Sequence, residues 1–358
     1  MKRCSGEHRV FFWEEASFED VEAPQLRISP RGGGHINTQE NLRDEGLFVV
    51  EPILPHALGA TDFSEPLRQL LDELSRSYKV EQPVAWYYAP MAIGFTERLE
   101  PSAVVYDCMD ELSAFKGAPE QMVEREQRLL RMADVVFAGG RSLYESKRRF
   151  HKNIHLFPSS IDFDHFLKAR SPQPEPTDQL SLARPRAGFY GVIDERFDFE
   201  LIAATAALLP DVQFVLLGPV VKVSVNDLPK AVNIHYLGQK TYDELPSYLA
   251  GWDVALIPFA RNEATRYISP TKTPEYLAAA RPVVSTPIAD VIASYGSVVR
   301  IAESPEDFSA AINTAMGDGA DPGWVRRADA AIAGQSWDST WEAMWELAEP
   351  YTVSKIVQ

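Results

Sequence analysis

The segment 269–286, SPTKTPEYLAAARPVVST, sets a lysine and a glutamate where they can act on one ligand. Lys272 and Glu275 stand three apart, so in a first helical turn they share one face. There an ammonium can grip a phosphate while a carboxylate holds a sugar hydroxyl, which suits a nucleotide sugar. Ser269, Thr271 and Thr273 are of the types that cap helices, and Pro270 or Pro274 suits a first helical position. A helix that starts here and runs through Glu275 to Ala280 aims its free N–H groups at an anion. Taken alone, a K-x-x-E pattern reads as a glutamate favouring the positive helix end beside a solvated lysine, so the context has to decide.

In open α/β sheets ligands lie beyond the carboxyl ends of the strands, which directs attention to the loops there. In GFYGVIDERFD, Gly191 lets backbone approach a ligand, and Arg196 reads either as a diphosphate clamp or as a surface ion pair with Asp194, Glu195 or Asp198. LGPVVKVSVNDLP lacks phosphate-loop spacing, and its Lys222 reads as an exposed charge. In LGQKTYDEL, Gly238 and Gln239 end a strand where backbone can meet a flat base. VVYDCMDELSAF ends a strand in Asp107 and Asp110, a pair that can orient hydroxyls or accept a proton, or simply cap and turn the chain. RGGGHIN (31–37) has neither G-x-G-x-x-G spacing nor a following Lys-Ser/Thr and reads as a flexible loop, with His35 and His56 as solvated polar residues. No histidine cluster has ligand spacing, and no G-x-S-x-G or catalytic cysteine signature supports covalent catalysis.

These loops need sheets to hold them. Apolar β-type runs at 10–14, 47–54, 84–88, 104–107, 134–138 and 153–157 alternate with helical stretches, including one over 119–132, and predict a mostly parallel sheet. The segment KARSPQPEPTDQLSLARPR carries four prolines and few large apolar residues, so it is expected to continue neither core and to mark a boundary. A second series of strands follows at 187–193, 212–218, 233–238, 254–259, 282–286 and 298–302. Thr241 with Glu244 forms a capping box, and Ser304-Pro305 starts a helix through Ala315. Trp337, Trp341 and Trp345, four apart, form a stripe that predicts packing rather than a sugar platform.

A chain of 358 residues, 45% hydrophobic and 24% charged, has room for two domains. Its 35 basic and 51 acidic residues give a net charge of −16, which opposes non-specific binding to nucleic acid. Two cysteines make no disulfide framework and no metal spacing. No apolar run approaches the about 20 residues that span a bilayer, and the start MKRCSGEHRVFFWEE lacks a signal-peptide core, so a cytoplasmic location is expected.

Taken together, these residues resemble bacterial glycosyltransferases of the GT-B fold, the retaining family 4 type, particularly those of cell-surface polysaccharide assembly. VVYDCMDELSAF, the pattern from Glu126 through DVVFA, and HLFPSSIDFDHF look like landmarks of that group's first domain. YGVIDERFD, IHYLGQKTYDELPSYLAGWDVALIPF and SPTKTPEYLAAARPVVST look like those of the second. The resemblance implies an α/β chain of two Rossmann-like domains facing a cleft, with an acceptor-side domain over 1–168, a nucleotide-sugar domain over 187–335, and a helix and tail at 336–358 returning to the first domain. It implies that Glu275 holds the nucleotide ribose, that Arg196 and Lys272 lie near the diphosphate, and that Gly238 and Gln239 meet the base. Gly191, Ser269 and Thr271 complete the donor side; Asp107 and Asp110 are acceptor-side candidates.

The implied reaction moves a sugar from a nucleoside diphosphate, first of all a UDP-sugar, to a hydroxyl of a glycan or lipid-linked acceptor, with retention. No cofactor and no metal are expected, no nucleic acid is a partner, and the inner face of the membrane is a place for peripheral contact. Three features depart from the family pattern. Tyr267 stands where the family's first Glu of E-x7-E would be, with Glu263 nearby; Ala280 replaces a glycine and is small enough to serve. The start reads as lacking the usual first strand, glycine turn and most of the first helix, which would leave a sheet edge exposed. Two other readings stay open: a nucleotide-sugar epimerase of the same fold, and a non-catalytic partner that binds nucleotide sugar.

Overall fold

A computed structural model describes residues 3–30, 46–58 and 63–354; the stretch 31–37, with His35, lies outside them. The chain divides into two compact units, one of Met1–Asp107, Glu120–Val136 and Trp341–Gln358, the other of Cys108–Pro119 and Phe137–Thr340.

The first unit contains β1 (Arg9–Trp13), β2 (Ser17–Glu19), β3 (Gln25–Pro30) and β4 (Gly46–Pro55). The apolar run of β4 places it at the centre: β1 and β2 pair with it in parallel, while β3 runs antiparallel from Gln25↔Ile53 to Pro30↔Phe48. The sheet is mostly parallel, as expected, with β3 the antiparallel exception; β2 and β3 themselves were not foreseen. QLRISP is short, polar at its start and ends in proline, so its signal is weak, and partners in β4 complete its hydrogen bonding. Arg27, on β3, joins Glu19 and Glu51 at 2.9 Å each. Further on, β5 (Val84–Tyr87) and β6 (Ala103–Cys108) pair in parallel. The helix Met122–Met132 buries Met122, Leu129 and Leu130, and the Glu126 carboxylate accepts a 3.0 Å hydrogen bond from the Tyr106 hydroxyl.

In the helix Trp337–Ser354, Trp341 stacks on Trp345 with centroids 5.5 Å apart. Trp86 lies 5.6 Å from Trp341, and His8 lies 4.9 Å from Trp345. Trp337 is exposed, so packing explains two of the three indoles. A four-residue step overshoots one turn by about 40°, which rotates the first indole off the buried face.

The apolar run β7 (Val135–Ala138) begins in the first unit and ends in the second, and β8 (Ile154–Leu156) lies in the second. The second unit's main sheet is made of β9 (Arg186–Tyr190), β10 (Gln213–Leu217), β11 (Ile234–Gly238), β12 (Val254–Ile257), β13 (Val283–Ser285) and β14 (Arg300–Ile301). All six are parallel, in the order β11-β10-β9-β12-β13-β14. Beginning at β9, the chain builds first to one side and then to the other, so a topological switch point lies between β9 and β12. The proline-rich segment, expected to join neither core, packs on this unit: Gln179 is fully buried, accepting from the Trp252 indole N–H at 2.9 Å and donating to the Tyr248 carbonyl at 3.2 Å. A short helix, Thr177–Leu180, turns that side chain inward.

The helix Lys272–Ala278 ends in a Schellman arrangement, with the Ala280 N–H bonded to the Leu277 carbonyl and the Arg281 N–H to that of Tyr276, each at 2.9 Å. Ala280 has φ +52°, so this position asks for left-handed backbone rather than merely for a small side chain. Ala280→Gly is therefore expected to stabilise the protein by about 0.5–1 kcal/mol, read as a higher urea midpoint at unchanged slope.

Candidate nucleotide-sugar site

The carboxyl ends of three neighbouring strands form a tight rim. The Gly191 N–H donates to the Leu217 carbonyl and the Gly218 N–H to that of Gly238, each at 2.9 Å. Gly191 and Gly218 hold φ of +144° and +138°, which side-chain-bearing residues rarely adopt. A Cβ on Gly218 would stand 1.9 Å from the Gly191 carbonyl oxygen, and one on Gly191 would stand 2.3 Å from Lys272 Cε. Lys272, from the next helix along the rim, thus lies directly over the Gly191 backbone. Gly218 was missed because its loop was judged by phosphate-loop spacing, although a glycine at a strand end was the available signal.

Charge is concentrated here at some electrostatic cost. Lys272 is half-buried, with Nζ 6.0 Å from the centre of the Phe189 ring. Burial pushes its amine below the usual lysine range, while the charges of Glu275, Asp194 and Asp110 act to restore it. Burial also raises the Glu275 carboxyl, to about 7, against the hydrogen bond from the Tyr190 hydroxyl and the charge of Lys272. Tyr190, which sequence reasoning did not single out, is thus the group that orients Glu275. Arg196 answers its two readings in one direction: Nε and Nη2 bind Asp194 at 2.9 and 2.7 Å, and the guanidinium carbon lies 5.4 Å from the Phe115 ring centre. Asp110 is half-buried, its carboxyl raised by burial and held back by Arg196 and Lys272.

The raised Glu275 has a consequence for stability. The folded state holds a proton there that the unfolded chain, with an ordinary value of 4.5, releases earlier. Stability from this group is therefore present below about pH 4.5 and lost as pH rises through about 7. Glu275→Gln is expected to remove that slope, so that its melting temperature gains on the native protein between pH 5 and pH 8.

The other expected residues fall in several places. Gly238, at φ +71°, and Gln239 are exposed at the end of β11. Ser269 is half-buried beside Gly140, and Thr271 is exposed. The expected capping by Ser269, Thr271 or Thr273 is corrected: Thr271 is the N-cap residue but makes no side-chain bond, because its φ −57° and ψ −27° are already helical. Thr273 Oγ1 is buried without a partner, its N–H bonds the Pro270 carbonyl, and Pro274 sits third in the helix rather than first. Asp107 belongs to the first unit, buried, with the Trp86 indole N–H donating to it at 3.2 Å; burial pushes its carboxyl up to about 6. Asp110 belongs to the second unit with Arg196 and Lys272. Glu263 faces solvent beside Arg266, 3.7 Å away, and the Arg266 guanidinium lies over Tyr267. Among the described residues no group of three His, Cys, Asp or Glu side chains is placed to hold a metal, and no helix is long and apolar enough to cross a membrane.

Residues 184–318, which contain the whole six-stranded sheet, Gly191, Arg196, Lys272 and Glu275, match the family Glycosyl transferases group 1. The chain is also similar to the candidate teichuronic acid biosynthesis glycosyltransferase TuaH of Bacillus subtilis (strain 168), at 25% identity over 279 residues, covering 72% of this chain and 70% of that one. The chain is a glycosyltransferase. Sucrose-phosphate synthase from Thermosynechococcus elongatus resembles it at TM-score 0.61 and 17% identity, over 83% of this chain and 82% of the other. The UDP-forming α,α-trehalose-phosphate synthase from Burkholderia xenovorans does so at TM-score 0.65 and 11% identity, over 96% and 93%. HepE from Anabaena, solved with UDP, does so at TM-score 0.57 and 13% identity, over 79% and 80%. These neighbours show the GT-B fold of this glycosyltransferase. Within it, the matched span holds Lys272 and Glu275 together with Tyr190 and Gly218, while Asp110 comes from outside the span.

Proposed function

We propose that this glycosyltransferase moves a hexosyl group from a nucleoside diphosphate, first of all UDP, to a hydroxyl of a glycan or lipid-linked acceptor, with retention, in cell-surface polysaccharide assembly at the inner face of the membrane. The observation that carries the reading is Lys272 laid over Gly191 at the carboxyl rim of a parallel sheet, with its charge desolvated before any anion arrives. A diphosphate at that rim would draw the amine back to its charged form, so binding relieves an unfavourable arrangement. Glu275, oriented by Tyr190, would take the ribose hydroxyls.

As the bond from sugar to phosphate breaks, negative charge grows on the diphosphate, and Lys272 stabilises it. Arg196 joins when it exchanges one Asp194 oxygen for a phosphate oxygen. The acceptor oxygen bonds to the anomeric carbon on the face the phosphate leaves, and its proton passes to the departing phosphate oxygen. Asp110, held between burial and the two cations, and Asp107 are the acceptor-side residues of the proposal. The relative from Bacillus subtilis supports an acceptor in surface polysaccharide, and the neighbours solved with UDP or forming it support the donor.

The test is a melting-temperature screen with UDP, GDP, ADP and dTDP, followed by transfer from the labelled sugar of the nucleotide that binds to a lipid extract. One nucleoside diphosphate is expected to raise the melting temperature, because it binds only the folded state. Product NMR should show the donor's anomeric configuration. Conversion of donor sugar without acceptor, or no shift with any nucleotide, would overturn the reading.

A further inference from the structure

The segment Cys108–Pro119 follows β6 in the chain but belongs to the second unit. It is pinned there at three places. The Gly139 N–H donates to the Cys108 carbonyl at 2.8 Å, Glu111 pairs with the buried Lys147 at 2.6 Å, and the half-buried Phe115 lies under two cations. The Arg196 guanidinium carbon is 5.4 Å from the Phe115 ring centre, and Lys222 Nζ is 5.7 Å from it. Arg196 comes from the loop after β9 and Lys222 from the loop after its neighbour β10, so one ring joins two adjacent loops of the rim. Lys222, which reads from sequence as an exposed charge, is exposed but tethered: its Nζ also lies 3.5 Å from the Lys116 carbonyl oxygen and 3.9 Å from Glu195 Oε1. Its φ of +60° is left-handed, a conformation that the surroundings of a lysine have to hold.

Packing of the segment asks only for an apolar side chain at position 115. A π-face adds an attraction for cations that an aliphatic side chain lacks, and this attraction uses none of the guanidinium N–H bonds. That matters for Arg196, whose Nε and Nη2 are both bonded to Asp194. To reach a phosphate oxygen it gives up one of those bonds, and the ring contact survives the exchange. Burial first, with the Arg196 charge among the lesser causes, lowers the Lys272 amine, so the two cations share one site.

We propose that Phe115 is a positioning residue for Arg196: its ring holds the guanidinium at the rim while that cation trades an Asp194 oxygen for a diphosphate oxygen. The inference rests on reading the rim as the donor site, and it deepens that reading. The ring itself bonds no substrate atom; it acts through Arg196, and Lys222 helps to hold it in place. A guanidinium placed before the anion arrives loses less freedom on binding.

The experiment is calorimetric titration of inorganic pyrophosphate into the native full chain, Phe115→Leu, Phe115→Tyr, Arg196→Ala, the double variant Phe115→Leu/Arg196→Ala and Lys272→Ala, with melting temperatures as a fold check. Phe115→Leu keeps an apolar side chain but removes the π-face; it is expected to weaken pyrophosphate by about 3- to 10-fold, while Phe115→Tyr binds as the native chain does. Phe115→Met takes its place if Phe115→Leu melts early. In the Arg196→Ala background Phe115→Leu should have no further effect, because a residue that acts through another is silent once that other is gone. Losses that add in the double variant, equal losses in Phe115→Leu and Phe115→Tyr, or native binding by Phe115→Leu would each overturn the positioning role, and the donor site stands as long as Lys272→Ala weakens pyrophosphate. If pyrophosphate binds Lys272→Ala at native strength, or does not bind the native chain, the donor-site reading fails and the positioning role fails with it.

Discussion

Lys272→Ala is expected to lower turnover by about 10²- to 10³-fold while the melting temperature stays level or rises. The two halves of this expectation have one cause. The amine is dehydrated in the folded protein, so removing it relieves a cost of folding rather than a contribution to it. On the proposed function, the same amine faces the charge that develops on a leaving diphosphate. Lys272→Arg is not expected to rescue, because Lys272 Cε already lies within contact of the Gly191 backbone and a planar guanidinium needs more width. Turnover with a labelled donor, measured beside thermal unfolding, checks both halves. An active Lys272→Ala protein would remove the mechanism.

Gly218→Ala is expected to cost about 3 kcal/mol or more, among the larger effects of a single substitution. The added carbon would meet the Gly191 carbonyl oxygen at 1.9 Å, and that oxygen is main chain, so no rotamer can move it aside. The backbone cannot yield easily, since Gly218 N–H is bonded to Gly238 and Gly191 N–H to Leu217. Its φ of +138° adds strain of its own. Gly191→Ala is the instructive contrast: its φ of +144° carries the same backbone strain, but its added carbon meets the flexible end of Lys272 rather than main chain, so it should cost less stability than Gly218→Ala while also disturbing catalysis. Urea midpoints for the two variants check this, and a native midpoint for Gly218→Ala would refute the packing described at the rim.

How far the sequence was legible can be followed through particular residues. The central strands of the second unit were readable because β10 and β12 carry the apolar runs FVLL and VALI, and such runs survive only where both faces of a parallel sheet are covered. The helix start after Ser304 was readable because its Oγ accepts from the Asp307 N–H within one turn, a local bond. β3 was not, since its stability comes from β4, and β4 is distant in sequence. The Thr271 cap failed for a related reason: its residue type permits capping, but its backbone angles are already those of the helix that Lys272 begins.

By itself, then, the sequence determined the run of elements apart from β2 and β3, the class of fold and the candidates Lys272, Glu275, Gly191 and Arg196, because periodicity and side-chain chemistry are local properties. Only the tertiary structure decided that Tyr190 orients Glu275 and that Gly218 closes the rim, because each depends on segments brought together by folding, whereas the pairing of Arg196 with Asp194 is local and was one of the two readings the sequence offered. Charge state belongs to the second class as well. A carboxyl raised to about 7 and an amine lowered by burial reflect the loss of water around them, and hydration is a property of the packed site rather than of residue order.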